Sequence, residues 1–139
     1  MLSITDMAND LSQYTAMQIT PMPIYREDYI KIVSQAVKKY FVDVNHPDEY
    51  SITSYINEGN NVFYDYDFNV LQEEYIFILS KIRFKRMIMA DQTGDGAISY
   101  TTDALSVTGA KEGYKSVQAE IDDLERERIR VFHKIMAHE

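Results

Sequence analysis

The strongest constraint in the chain lies in its last third, where Ala110, Tyr114, Val117, Ile121, Leu124, Val131 and Ile135 follow alternating steps of four and three residues. Arg128 stands at the one step where another apolar side chain belongs. This seam predicts a helix over 110 to about 137, despite Gly113, whose apolar stripe has to lie lengthwise on another helix. The seam alone does not say whether that partner helix is in the same chain or in a neighbour. With 139 residues in all, the rest of the chain is long enough to complete one domain with a modest core and too short for two.

Composition narrows the function classes. A hydrophobic fraction of 45% with 26% charged residues belongs to a chain that folds. Twenty-two acidic against fourteen basic side chains give a net charge of −8, which repels a phosphate backbone and argues against sequence-specific nucleic-acid binding. The absence of cysteine excludes disulfides, thiolate zinc sites and cysteine nucleophiles. No run is long and apolar enough for a membrane helix; even Tyr75 to Leu79 is flanked by Glu73, Glu74 and Lys81. The first ten residues carry Asp6 and Asp10 and lack the basic start of a secretory signal. Eleven tyrosines and seven methionines suit surfaces that meet another protein, but filling a small core is the preferred reading.

Along the chain, Ser3 or Thr5 can cap a first helix with Ile4, Met7, Ala8 and Leu11 on one face. Pro21 and Pro23 then favour an extended linker. The spacing of Ile30, Val33, Val37, Tyr40 and Phe41 predicts a second helix from Arg26 to about Val42, stopped near Asn45, His46 and Pro47. Ile52, Tyr55 and Ile56 suggest a short helix before Gly59, Asn60 and Asn61. Asn69 is placed to cap a long run from Val70 to Ala90, expected to be the most buried helix. Lys81, Arg83, Lys85 and Arg86 near its end read as cations on the helix dipole. Alternation of Ile98, Tyr100, Leu105 and Val107 with small polar residues predicts a β-hairpin over 97–109. The expected architecture is mainly α: an N-terminal helical arm (1–18), a proline linker (19–25), a helical body (26–96), the hairpin, and a C-terminal helix (110–139).

Few motifs carry chemistry. Asp91, Thr93 and Asp95 occupy the first three ligand positions of a calcium loop, with Gly96 at the turn and Ile98 at the apolar anchor. The twelfth position, which needs a bidentate carboxylate, is Thr102, so a turn between two elements is the preferred reading and calcium the lesser one. His46, His133 and His138 are far apart, and no nucleophile elbow, phosphate loop or metalloprotease helix is present. Glu120, Glu125 and Glu127 with Arg126, Arg128 and Arg130 read as a surface ion-pair lattice. The sequence therefore points away from an enzyme.

The run Ile98-Ser99-Tyr100-Thr101-Thr102-Asp103-Ala104-Leu105-Ser106-Val107, followed by Gly109, Tyr114 and the Glu- and Arg-rich helix to Ile135, resembles small head-to-tail connector proteins of tailed bacteriophages. The resemblance implies several helices, a short β-excursion and a closing C-terminal helix. It implies a virion structural protein, an adaptor assembled in the host cytoplasm as a ring in the neck, between portal and tail. Its partners would be the portal protein, neighbouring neck or tail proteins and further copies of itself. The docking element would be the arm with Met7 and Leu11, or the final helix with Val131, Phe132, Ile135 and Met136. A tail-completion or other neck protein fits the same residues. The alternative from a different class is a calcium-responsive helical module that binds the ion through 91–102 and a partner through its last helix.

Overall fold

The computed structural model describes residues 1–16, 26–44, 47–93 and 104–137. In chain order these form β1 (Leu2–Ser3), α1 (Ile4–Ala16), α2 (Arg26–Asp43), two 3₁₀ turns (Pro47–Glu49 and Ile52–Ser54), β2 (Tyr55–Glu58), β3 (Asn61–Tyr64), α3 (Val70–Thr93) and α4 (Ala104–Ala137). The protein is mainly helical, with a small antiparallel sheet ahead of a long C-terminal helix.

The helix starts follow local chemistry. Ser3 caps α1, its Oγ accepting from the Asp6 amide at 3.1 Å. Asn69 and Gln72 form a reciprocal capping box at the start of α3: the Gln72 amide donates to Asn69 Oδ1 at 2.9 Å and the Asn69 amide donates to Gln72 Oε1 at 2.9 Å. α3 packs against both α2 and α4. It therefore buries Tyr75, Ile76, Ile78, Leu79, Ile82 and Phe84, a set too wide for a single stripe, as expected of a helix covered on more than one side. The seam of α4 finds its partner within the chain. Ile121, Leu124, Val131 and Ile135 are buried, and Val117 packs against the core.

The hairpin lies elsewhere than 97–109. Leu105 and Val107 belong to α4, and 97–103 lies outside the described residues. Alternation over so few positions does not separate strand from helix, and Asp103 directly ahead of Ala104 is of the type that favours a helix N-cap. The observed hairpin joins β2 to β3, pairing Tyr55 with Tyr64 and Glu58 with Asn61. This replaces the short helix expected around Ile52, Tyr55 and Ile56. The two-residue connection Gly59-Asn60 is a hairpin signal, and Gly59 takes φ +61°, a left-handed conformation that glycine adopts without a Cβ penalty. β1 completes the sheet on the other edge of β3, with Leu2 opposite Tyr64.

That pairing makes the N-terminal segment part of the body. Ile4, Ala8 and Leu11 are buried in the core, and the Thr5 hydroxyl, also buried, accepts from the Val62 amide at 2.8 Å. The Thr15 and Tyr29 hydroxyls, 2.7 Å apart, join α1 to α2. The expected separation of an arm from the body is thus corrected for residues 1–16. The proline linker, 19–25, lies outside the described residues.

Candidate functional site

A groove of about 730 Å³ lies where α2, α3 and α4 meet. Lys39 and Asp43 reach it from α2, Arg83, Arg86 and Met87 from α3, and Glu125 and Arg128 from α4, over an apolar floor that includes Leu79 and Ile82. Four cationic side chains thus face two carboxylates in a protein whose overall charge is −8.

The network is built on Arg128, the residue that interrupts the α4 seam. Its position points it at α3 and α2, where an apolar side chain would otherwise pack. Its Nη1 donates to the Tyr75 hydroxyl at 3.0 Å and its Nε to Glu125 Oε2 at 2.7 Å. The Tyr75 hydroxyl in turn donates to Asp43 Oδ2 at 2.7 Å. Lys39 Nζ sits 3.1 Å from Asp43 Oδ1, and Arg86 Nη2 donates to Glu125 Oε1 at 3.1 Å. One chain of polar contacts therefore ties α2, α3 and α4 together. Arg83 is exposed and has no ion-pair partner among the described residues.

Burial, followed by the hydrogen bond to Asp43, pushes the Tyr75 phenol well above its ordinary value. Burial and the neighbouring Tyr50 shift Tyr55 in the same direction. Burial by itself works against the charge of Arg128, but its bonds to Glu125 and Tyr75 outweigh that and leave its pKa raised. These groups are arranged to hold protons and charges in place. The groove carries more cationic than anionic side chains, and among the described residues that line it no nucleophile stands beside a base.

The basic run on α3 has a different role from the one its sequence suggests. α3 continues to Thr93, so Lys81 to Arg86 lie more than a turn before its end, beyond the reach of the terminal dipole. Lys85 is buried, pairs with Glu120 at 2.5 Å and lies over the Tyr14 ring. Lys81 lies over Phe77 and Tyr14, with its ammonium 4.7 Å and 5.1 Å from the ring centres. The ion pairs of α4 are likewise divided. Arg126 and Asp123 pair on the exposed face, whereas Glu120 and Glu125 reach across to α3.

The residues expected to dock partners are engaged internally. Leu11, Val131 and Ile135 are buried, and Met7, Phe132 and Met136 pack against the core. They form no free apolar stripe in this chain. Asp91 and Thr93 fall within the helical span of α3, while their side chains and all of Asp95 lie outside the described residues, as do His46 and His138. His133 is exposed on α4. Among the described residues no three His, Asp or Glu side chains come together as a metal site, and no helix is long and apolar enough to cross a membrane.

Arg128 was the visible signal for the groove, being a charge in an apolar register. Asp43 and Tyr75, which it meets, are separated from it by 85 and 53 residues and carry no local mark. Comparisons with family models, curated proteins and solved structures found no match.

Two measurements check this construction. Arg128→Ala removes a partner from the buried Tyr75 and the half-buried Glu125, so it is expected to cost about 1–3 kcal/mol in urea unfolding, while Arg126→Ala on the exposed face stays within about 0.5 kcal/mol. The phenol shifts give the second. The unfolded chain ionises its tyrosines near pH 10.0 while Tyr75 and Tyr55 stay neutral in the folded chain, so their contribution is complete below that pH and is lost as pH rises past it. Urea midpoints measured at increasing alkaline pH should fall, and fall less steeply in Tyr75→Phe.

Proposed function

We propose that this chain is a structural protein of a tailed-bacteriophage virion, an adaptor that forms a ring in the neck between portal and tail. The observation that carries the reading is the resemblance of the run from Ile98 to Val107, Gly109, Tyr114 and the Glu- and Arg-rich helix to Ile135 to connector proteins. A succession of helices that ends in a long closing helix supports it. The net charge of −8 suits a wall past which DNA moves without adhering, through repulsion of like charges.

Because the seam of α4 and the apolar face of α1 are used inside the subunit, contact with portal or tail falls to other groups. Among the described residues, the exposed apolar side chains Val42, Ile52, Val70 and Ile129 and the charged groove are surfaces open to it. Engagement through Leu11, Val131 or Ile135 requires those residues to leave the core.

Quantitative mass spectrometry of purified virus particles tests the reading. The chain is expected at a fixed, low copy number relative to coat protein. Its absence from intact particles would overturn the assignment.

A further inference from the structure

The groove and a second surface of the same chain are complementary. Between Glu58 and Ser80 the sequence has five carboxylates and no lysine, arginine or histidine. Three of these, Asp65, Asp67 and Glu74, are exposed around the corner that joins β3 to α3. At that corner Val70 is 80% exposed, the most exposed large apolar side chain among the described residues. The corner therefore presents carboxylates around an apolar knob. The groove has an excess of cations: Arg83 is exposed with no ion-pair partner among the described residues, Arg86 and Lys39 pair with Glu125 and Asp43 but keep exposed side chains, and Met87 is 38% exposed beside an apolar floor.

The two surfaces cannot meet within one molecule. Thirteen residues of continuous helix separate Val70 from Arg83, a rise of about 20 Å. We propose that the acidic corner of one copy seats in the basic groove of the next, with Asp65 and Asp67 facing Arg83 and Arg86, and Val70 against Met87. Different patches meet in this contact, so it is heterologous, and repetition gives a ring where the rotation closes. The closed ring rests on the neck reading, whereas the contact itself rests on charge and exposure.

The test is reciprocal charge exchange in the full-length chain, read by sedimentation over a range of concentration. Both Arg83 and Asp67 are exposed, and thermal melts of Arg83→Glu and Asp67→Arg check that each variant folds. The unaltered chain is expected to self-associate, less strongly at high salt. Each variant alone should associate at least about tenfold more weakly, since like charges then face each other, and an equimolar mixture should restore association. A chain that stays monomeric throughout overturns the contact, as do single variants that assemble like the unaltered chain or a mixture that fails to recover. Recovery of the chain from particles decides the neck reading separately, so either proposal can fail while the other stands.

Discussion

Phe41 holds the sheet to the helices. From its place on α2 its ring meets Tyr40 at 5.1 Å, Tyr66 at 5.1 Å and Phe68 at 5.9 Å between centroids, and Tyr50 and Tyr64 at 6.1 Å. Tyr40 extends the cluster to Tyr75 on α3, and Tyr75 meets Phe132 on α4. Edge-to-face and tilted pairs of this kind each contribute about 0.5–1.5 kcal/mol beyond the area they bury. A sheet of two- and four-residue strands is marginal by itself, and here it is fixed because Tyr64 and Tyr55 are parts of the aromatic cluster. Their hydroxyls are satisfied as well: Tyr64 accepts from the Ser51 amide and Tyr55 donates to the Ser34 carbonyl on α2. The abundance of tyrosine is in large part the composition of this core.

The aromatic cluster also sets the place of the polar network. Tyr75 has its ring among Tyr40 and Phe132 and its hydroxyl between Asp43 and Arg128. One side chain thus closes the apolar interior and opens the charged groove. Arg128 in an otherwise apolar seam lowers the packing gained by α4 but favours one register on α3, the alignment that brings the guanidinium to the Tyr75 hydroxyl and beside Asp43 of α2. Polar residues at a single seam position have this effect in coiled coils.

Elements marked by local chemistry were legible in the sequence. Ser3 and Asn69 have the short acceptor side chains that caps need, and Ile4, Ala8 and Leu11 have helical spacing. The seam from Val117 to Ile135 was legible too, along with the burial of α3. What failed depended on pairings distant in sequence. Tyr55 to Tyr64 is strand because β3 pairs with both β2 and Leu2–Ser3, and the helical spacing of Ile52, Tyr55 and Ile56 carries no trace of that. Leu105 and Val107 show the reverse error, an alternation of two residues inside a helix. The prolines that follow α1 suggest a separate arm, whereas its place is decided by β3 and α2. Of the site, only Arg128 is conspicuous in sequence, and the basic run on α3 lies short of the helix end because the helix continues past it to Thr93.

A body that uses both of its terminal helices internally leaves the corner and the groove for the proposed self-contact. Hydrogen–deuterium exchange on the purified chain, dilute and concentrated, tests that division most directly. The account requires α1 amides to be protected as strongly as those of α2 already in the dilute monomer, with new protection on concentration confined to the segments around 65–74 and 79–87. Free exchange in α1 of the monomer, with protection appearing there only on assembly, would contradict it and return the N-terminal helix to the role of a docking arm.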